Sequence, residues 1–152
     1  METDEKILAR LNTSTEYNTW LVKRDSFIFV RKELPLAQYE TMETFYSLRS
    51  KISSPFIVNI YNVSATEDLC LIEEEWIAGT TIAEYLDKGF PFSSDETRQY
   101  GIEICRALCW FHIHHMIFRD LKPSNVIISN SGHAVLIDPG TLRLRKPNQT
   151  KV

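Results

Sequence analysis

The chain has 152 residues, of which 43% are apolar, enough to build a sizeable core, and its 20 acidic against 17 basic residues give a formal charge of -3. No dense cationic block is present, which argues against a nucleic-acid partner; Arg143, Arg145 and Lys146 read as part of a solvated tail. The start METDEKILARL lacks the early apolar run of a secretory signal, and no stretch approaches the ~20 apolar residues that span a bilayer, so a cytoplasmic protein without membrane attachment is expected.

The elements follow in chain order. KILARL, NTWLVKR and SFIFVRKEL alternate or run in aromatic and branched residues, as strands do. Over 38–51, Met42, Phe45 and Leu48, with Ile52 just beyond, recur at helical spacing until Ser53, Ser54 and Pro55 break the helix. FIVNIYNV and DLCLIEEEW then read as two further strands. Together these predict an antiparallel sheet with one helix, its apolar face covered by Val30, Phe45, Leu48, Ile60 and Leu71.

The pattern changes at Gly79. Thr81 with Glu84, and Ser93 with Glu96, have the spacing of capping boxes, which predicts a short helix and then a longer one. Tyr100, Ile104, Ala107, Leu108 and Phe111 form the apolar stripe of the longer helix. Cys105 and Cys109, one turn apart and without metal-like spacing, are expected to be buried thiols. NVII and AVLI flank a polar turn at 130–132, the signature of a small hairpin. The chain is expected to be disordered from about Lys146.

The densest chemistry lies in FRDLKPSNVII and the IDPG that follows it, which gather Asp120, Lys122, Asn125 and Asp138. Carboxylate and amide oxygens are hard ligands suited to magnesium, and a lysine can neutralise charge on a phosphoryl group in transfer. The set can position a nucleotide-bound metal and accept a proton.

These residues resemble the catalytic loop H-R-D-L-K-x-x-N of eukaryotic-type serine/threonine protein kinases, in a shortened, bacterial-like form. The resemblance implies that Asp120 orients or receives the substrate hydroxyl proton, that Lys122 contacts the transferred phosphate and that Asn125 ligates magnesium. Phe118 stands where the family has histidine. Asp138-Pro139-Gly140 resembles D-F-G, making Asp138 the second magnesium ligand, with proline in place of phenylalanine. Pro139 is expected to bias Ile137 and Asp138 toward extended backbone and to restrict the loop.

Upstream, SFIFVRKEL resembles the strand bearing V-A-x-K, which implies that Lys32 holds the α- and β-phosphates of ATP, paired with Glu43 or, behind it, Glu40 on the following helix. LIEEEWIAG resembles the hinge, with Glu75 giving a main-chain contact to adenine and Glu74 at the gatekeeper position. The stretch 12–17, NTSTEY, takes the place of the glycine-rich loop; Asn12 and Ser14 can donate hydrogen bonds to phosphate, but no glycine occurs before Gly79.

The implied fold is α+β and protein kinase-like: an antiparallel N-terminal lobe over 1–75, a hinge over 76–80, an incomplete helical C-terminal lobe over 81–144 and a tail over 145–152. The resemblance breaks off beyond Asp138, before the activation segment and the A-P-E motif, so Ile102, Ile104, Cys105, Leu108 and Trp110 are not all expected to be covered without self-association or a partner. Three readings follow: a Mg2+- and ATP-dependent kinase of protein hydroxyl groups with weak or partner-dependent activity, a pseudokinase acting as a regulatory binding module, and a nonfunctional shortened product.

Overall fold

The computed structural model describes residues 4–11, 17–139 and 142–144. The expected phosphate-loop residues Asn12 and Ser14, Gly140 and the expected tail over 145–152 lie outside the described residues. The chain divides into two compact units, one formed by the residues up to Ser53 with Asn59–Trp76, the other by Ser54–Val58 with the residues from Ile77 onward.

The first unit is a five-stranded antiparallel sheet in the order β1-β2-β3-β5-β4, built from β1 (Glu5–Arg10), β2 (Asn18–Arg24), β3 (Phe27–Pro35), β4 (Ile60–Ala65) and β5 (Leu69–Glu75), with helix α1 (Leu36–Arg49). In β3 and β5, Val30, Lys32 and Leu34 and their neighbours Cys70, Ile72 and Glu74 are all buried. Opposite partners share a face, so this period-two pattern marks one inward surface. Met42, Phe45 and Tyr46 of α1 are buried too, at 5%, 1% and 2% exposure. Phe45, Val30 and Ile60 are core as expected, whereas Leu48 and Leu71 are half-buried.

Elsewhere on the sheet, Phe29 is fully buried beneath two guanidinium groups, those of Arg24 at 4.7 Å and Arg31 at 5.5 Å from its ring centroid. Both arginines pair with Glu5 and Glu73, so long charged stems cover an aromatic ring. At the end of α1, Arg49 Nη2 donates to Asn59 Oδ1 at 2.8 Å, and Asn59 Nδ2 donates to the Glu75 carboxylate at 2.7 Å. This relay ties the helix end to the end of β5.

The second unit contains β6 (Gly79–Thr81), α2 (Ile82–Asp87), α3 (Ser94–Ile113), β7 (Met116–Ile117), β8 (Val126–Ser129), β9 (Ala134–Leu136) and β10 (Arg143–Leu144). Both expected capping boxes are present: Thr81 and Ser93 accept from the amides of Glu84 and Glu96, whose carboxylates accept from the amides of the caps. Strands β6, β8 and β9 form one sheet, while β10 pairs with β7. The segment 54–58 joins β9, with Val58 N–H donating to Leu136 O and Leu136 N–H to Phe56 O. At the β8–β9 turn Gly132 takes φ +81°, a conformation that glycine accepts without steric cost.

Helix α3 buries Tyr100, Glu103, Ala107, Trp110 and Phe111, while Ile104 and Leu108 are half-buried. The expectation of buried thiols at Cys105 and Cys109 is corrected, because both are exposed, as is Ile102 at 49%. The buried face runs through 100, 103, 107 and 110, and at 100° per residue positions 105 and 109 point away from it.

Candidate active site

The catalytic-loop candidates converge by local means. Lys122 has extended backbone, Pro123 opens a single 3-10 turn over Pro123–Asn125, and Asn125 N–H donates to Lys122 O at 2.9 Å to close it. Proline suits that first position because its φ is already set and its missing N–H is not needed there. The turn carries the Asn125 side chain back over Asp120, where Nδ2 donates to the main-chain O at 2.9 Å and to Oδ2 at 3.2 Å. Lys122 Nζ lies 2.6 Å from the same Oδ2. Asn125 is 5% exposed, whereas the side chains of Asp120 and Lys122 are 40% and 50% exposed. The hydrogen bond to Asp120 raises the pKa of Lys122, with charge from Asp120 and Asp138 adding to it, so the lysine is firmly cationic.

Asp138 is held next to this loop by main-chain bonds. Val126 pairs with Leu136, and Ile137 N–H donates to Asn125 O at 2.9 Å. Asp138 is half-buried with φ +53°. The expectation of extended backbone at this residue is corrected: the following proline disfavours the right-handed helical region, and aspartate tolerates the left-handed one better than most residues do.

Phe118, at the position of the family's histidine, is 8% exposed, with its ring 5.3 Å from that of Phe111, which in turn meets Trp110 at 5.4 Å. The start of the loop is therefore anchored to α3 by aromatic packing.

In the first unit, Lys32 is buried on β3 and its Nζ lies 3.1 Å from Glu74 Oε2 on β5. The expected pairing of Lys32 with Glu43 is corrected, since both Glu43 and Glu40 are exposed on α1. The signal for Glu74 was the alternation of Cys70, Ile72 and Glu74, which places that carboxylate on the buried face. Glu75 is engaged through its amide with Asn59 O at 2.9 Å, as well as through its carboxylate, so its N–H is already committed.

Glu103 belongs to no motif in the sequence. This residue is 5% exposed, and its carboxylate accepts from Ala134 N–H at 2.7 Å, His133 Nδ1 at 2.8 Å and Gln99 Nε2 at 3.2 Å, fastening α3 to the β8–β9 hairpin. Burial pushes its carboxyl up, but the three donors outweigh this and hold it below the ordinary carboxylate range. Its place between Tyr100 and Ala107 on the apolar stripe was the available signal.

Among the described residues no cluster of three His, Cys, Asp or Glu side chains could hold a metal by itself. The donors at hand are Asp138 and the Asn125 amide oxygen, whose Nδ2 is already occupied by Asp120. Two hard oxygens suit magnesium, which takes few protein ligands and completes its shell with phosphate and water. No described helix is long and apolar enough to cross a membrane.

A family profile for the protein kinase domain matches residues 21–151. The chain is 36% identical over 105 residues to the cAMP-dependent protein kinase catalytic subunit of Dictyostelium discoideum, covering 69% of this chain and 16% of that protein. It is 33% identical over 112 residues to the probable serine/threonine-protein kinase PknB of Lactococcus lactis, covering 74% and 17%. It is also 28% identical over 145 residues to the serine/threonine-protein kinase Sgk1 of Fundulus heteroclitus, covering 95% and 33%. The chain thus spans 16% to 33% of the length of these relatives. With a protein kinase profile over most of its length and these relatives alongside, the chain belongs to the protein kinase family.

Proposed function

We propose that this chain binds Mg2+-ATP and carries the residues for phosphoryl transfer to a serine or threonine hydroxyl of a protein substrate, in the cytoplasm and with weak or partner-dependent turnover. The observation that carries this reading is the Asp120, Lys122 and Asn125 cluster. Both donors converge on Oδ2, which leaves Oδ1 as the oxygen available to an incoming hydroxyl. Asp120 then orients the nucleophile and takes its proton as the new O–P bond forms and the bond from the γ-phosphorus to the bridging oxygen breaks, releasing ADP with that electron pair, and the Lys122 ammonium offsets charge on the transferred group. Asn125 and Asp138 would hold magnesium, which neutralises the phosphate oxygens when bound. Lys32 is assigned to the inner phosphates. A copy of the chain or a partner is the proposed cover for the exposed face of α3.

The test is calorimetric titration with ATP, with and without magnesium, followed by a transfer assay on a generic serine/threonine substrate. Asp138→Asn is expected to lose magnesium-dependent binding. Asp120→Asn is expected to keep binding while transfer falls by about 10²- to 10⁴-fold. Wild-type behaviour of both variants in an assay with demonstrable activity defeats the site assignment. A pseudokinase reading is favoured by the lack of glycine in NTSTEY, since a side chain there limits how closely the backbone can approach phosphate. A folded chain that binds no nucleotide, or binds it without transfer, decides for that reading.

A further inference from the structure

We propose that Glu74, on the internal strand β5, is the carboxylate that positions Lys32 for nucleotide phosphate, so that the orientation of this lysine is set within the sheet and not by helix α1. The inference rests on the reading of Lys32 as a phosphate-binding residue. The strand register brings the two within reach: Lys32 lies opposite Ile72, and Val30 lies opposite Glu74. Antiparallel partners share a face, as do residues two apart on one strand, so Lys32 and Glu74 are diagonal neighbours on one surface.

Both residues are buried, at 6% and 3% exposure, and their charged atoms meet at 3.1 Å. An ammonium in such surroundings is costly unless a carboxylate stays with it, and Glu74 meets that need from a neighbouring strand. The acidic side chains of α1, Glu40 and Glu43, face solvent. Strands β3 and β5 are internal to the sheet, hydrogen-bonded on both sides, so the register that brings the two charges together is set by strand pairing. Moving α1 would leave this pair intact, and control of nucleotide binding through that helix is correspondingly weak.

The test compares the parent chain with Lys32→Met, Glu74→Gln and Glu43→Gln by calorimetry with Mg2+-ATP, each checked for folding by circular dichroism. In parallel, NMR on 13C-lysine- and 13C-glutamate-labelled parent reads which glutamate lies against the Lys32 ε-methylene, with and without nucleotide. The expected result is a loss of affinity of roughly tenfold or more in Lys32→Met and Glu74→Gln, the scale of one charge-assisted hydrogen bond, with Glu43→Gln equal to the parent. The Lys32–Glu74 cross-peak is expected to persist in the complex.

The proposal is overturned if Glu43→Gln weakens binding as Lys32→Met does while Glu74→Gln matches the parent. It is equally overturned if nucleotide moves the Lys32 cross-peak from Glu74 to Glu43, a reading that stands even if Glu74→Gln fails to fold. A parent that binds no Mg2+-ATP yet shows the Lys32–Glu74 cross-peak defeats the nucleotide reading and reduces Glu74 to a structural partner. If the parent binds nucleotide but shows no such cross-peak, the nucleotide reading survives and the assignment of Glu74 alone falls.

Discussion

Replacing Glu103 with alanine removes the acceptor of three donors at once, and the cost can be apportioned from the structure. Ala134 is 1% exposed, so its N–H, which now donates to Glu103 Oε2 at 2.7 Å, would be left without an acceptor in the interior. A buried donor deprived of a charged acceptor costs about 2–3 kcal/mol. The His133 side chain is 55% exposed, so its pairing adds only about 0.5 kcal/mol after solvent screening, and the exposed Gln99 amide adds little. The expected loss is therefore about 3 kcal/mol for Glu103→Ala. It is about 1 kcal/mol for Glu103→Gln, which keeps a carbonyl acceptor but loses the charge.

Urea unfolding followed by circular dichroism measures this loss. With a slope of about 2 kcal/mol per molar, the midpoint falls by about 1.5 M in Glu103→Ala and by about 0.5 M in Glu103→Gln. Hydrogen exchange localises the effect, with the Ala134 amide expected to exchange on the order of 100-fold faster in Glu103→Ala. The pH dependence has a fixed sign. Because the folded carboxyl is held below its ordinary value of 4.5, its contribution is present above that pH and is lost as the pH falls through the lowered folded value. Parent and Glu103→Gln should therefore converge in acid. A Glu103→Ala protein within about 0.5 kcal/mol of the parent, with unchanged protection at Ala134, refutes the reasoning.

Three further outcomes can be measured on the same preparation. Gly79→Ala would put a Cβ 2.2 Å from Ile128 O, against a strand backbone that cannot swing aside, so it should break the β6–β8 pairing and lower the melting temperature by more than either cap variant does. Ser93→Ala and Thr81→Ala should each cost about 1 kcal/mol in chemical denaturation, since each removes the acceptor for a first-turn amide. The Glu5 carboxyl is held at about 2, chiefly by its hydrogen bond to Arg31 and, against the opposing effect of burial, by Arg24; NMR titration should therefore find it ionised through pH 4, with its stabilising effect present above 4.5 and lost progressively as the pH falls from there to about 2.

Much of the fold and part of the candidate site were legible in the chain because the forces behind them are local. A capping box joins residues three apart, a strand announces its faces by alternation, and the turn at Pro123 carries Asn125 back to Asp120 within six residues. A reader of the sequence could therefore place the two helix starts, the five strands of the first unit and the grouping of Asp120, Lys122 and Asn125. Tertiary structure decided what depends on distant partners. Lys32 meets Glu74 and not a glutamate of α1 because the β3–β5 register sets them diagonally across 42 positions of chain, and the periodicity of α1 alone gave no measure of how far its acids lie from the sheet.

Glu103 owes its role to a distant partner, because the Ala134 amide it accepts from lies 31 residues along the chain. Cys105 and Cys109 are exposed because the orientation of α3 on that hairpin, and not its average hydrophobicity, selects the buried face. Asp138 likewise departs from the extended backbone that a following proline favours: with Ile137 anchored to Asn125 it takes a left-handed conformation, which aspartate tolerates better than most residues. Composition and spacing determined which groups this protein possesses and where its elements begin. Burial and register, which only the folded chain defines, decided which charges meet.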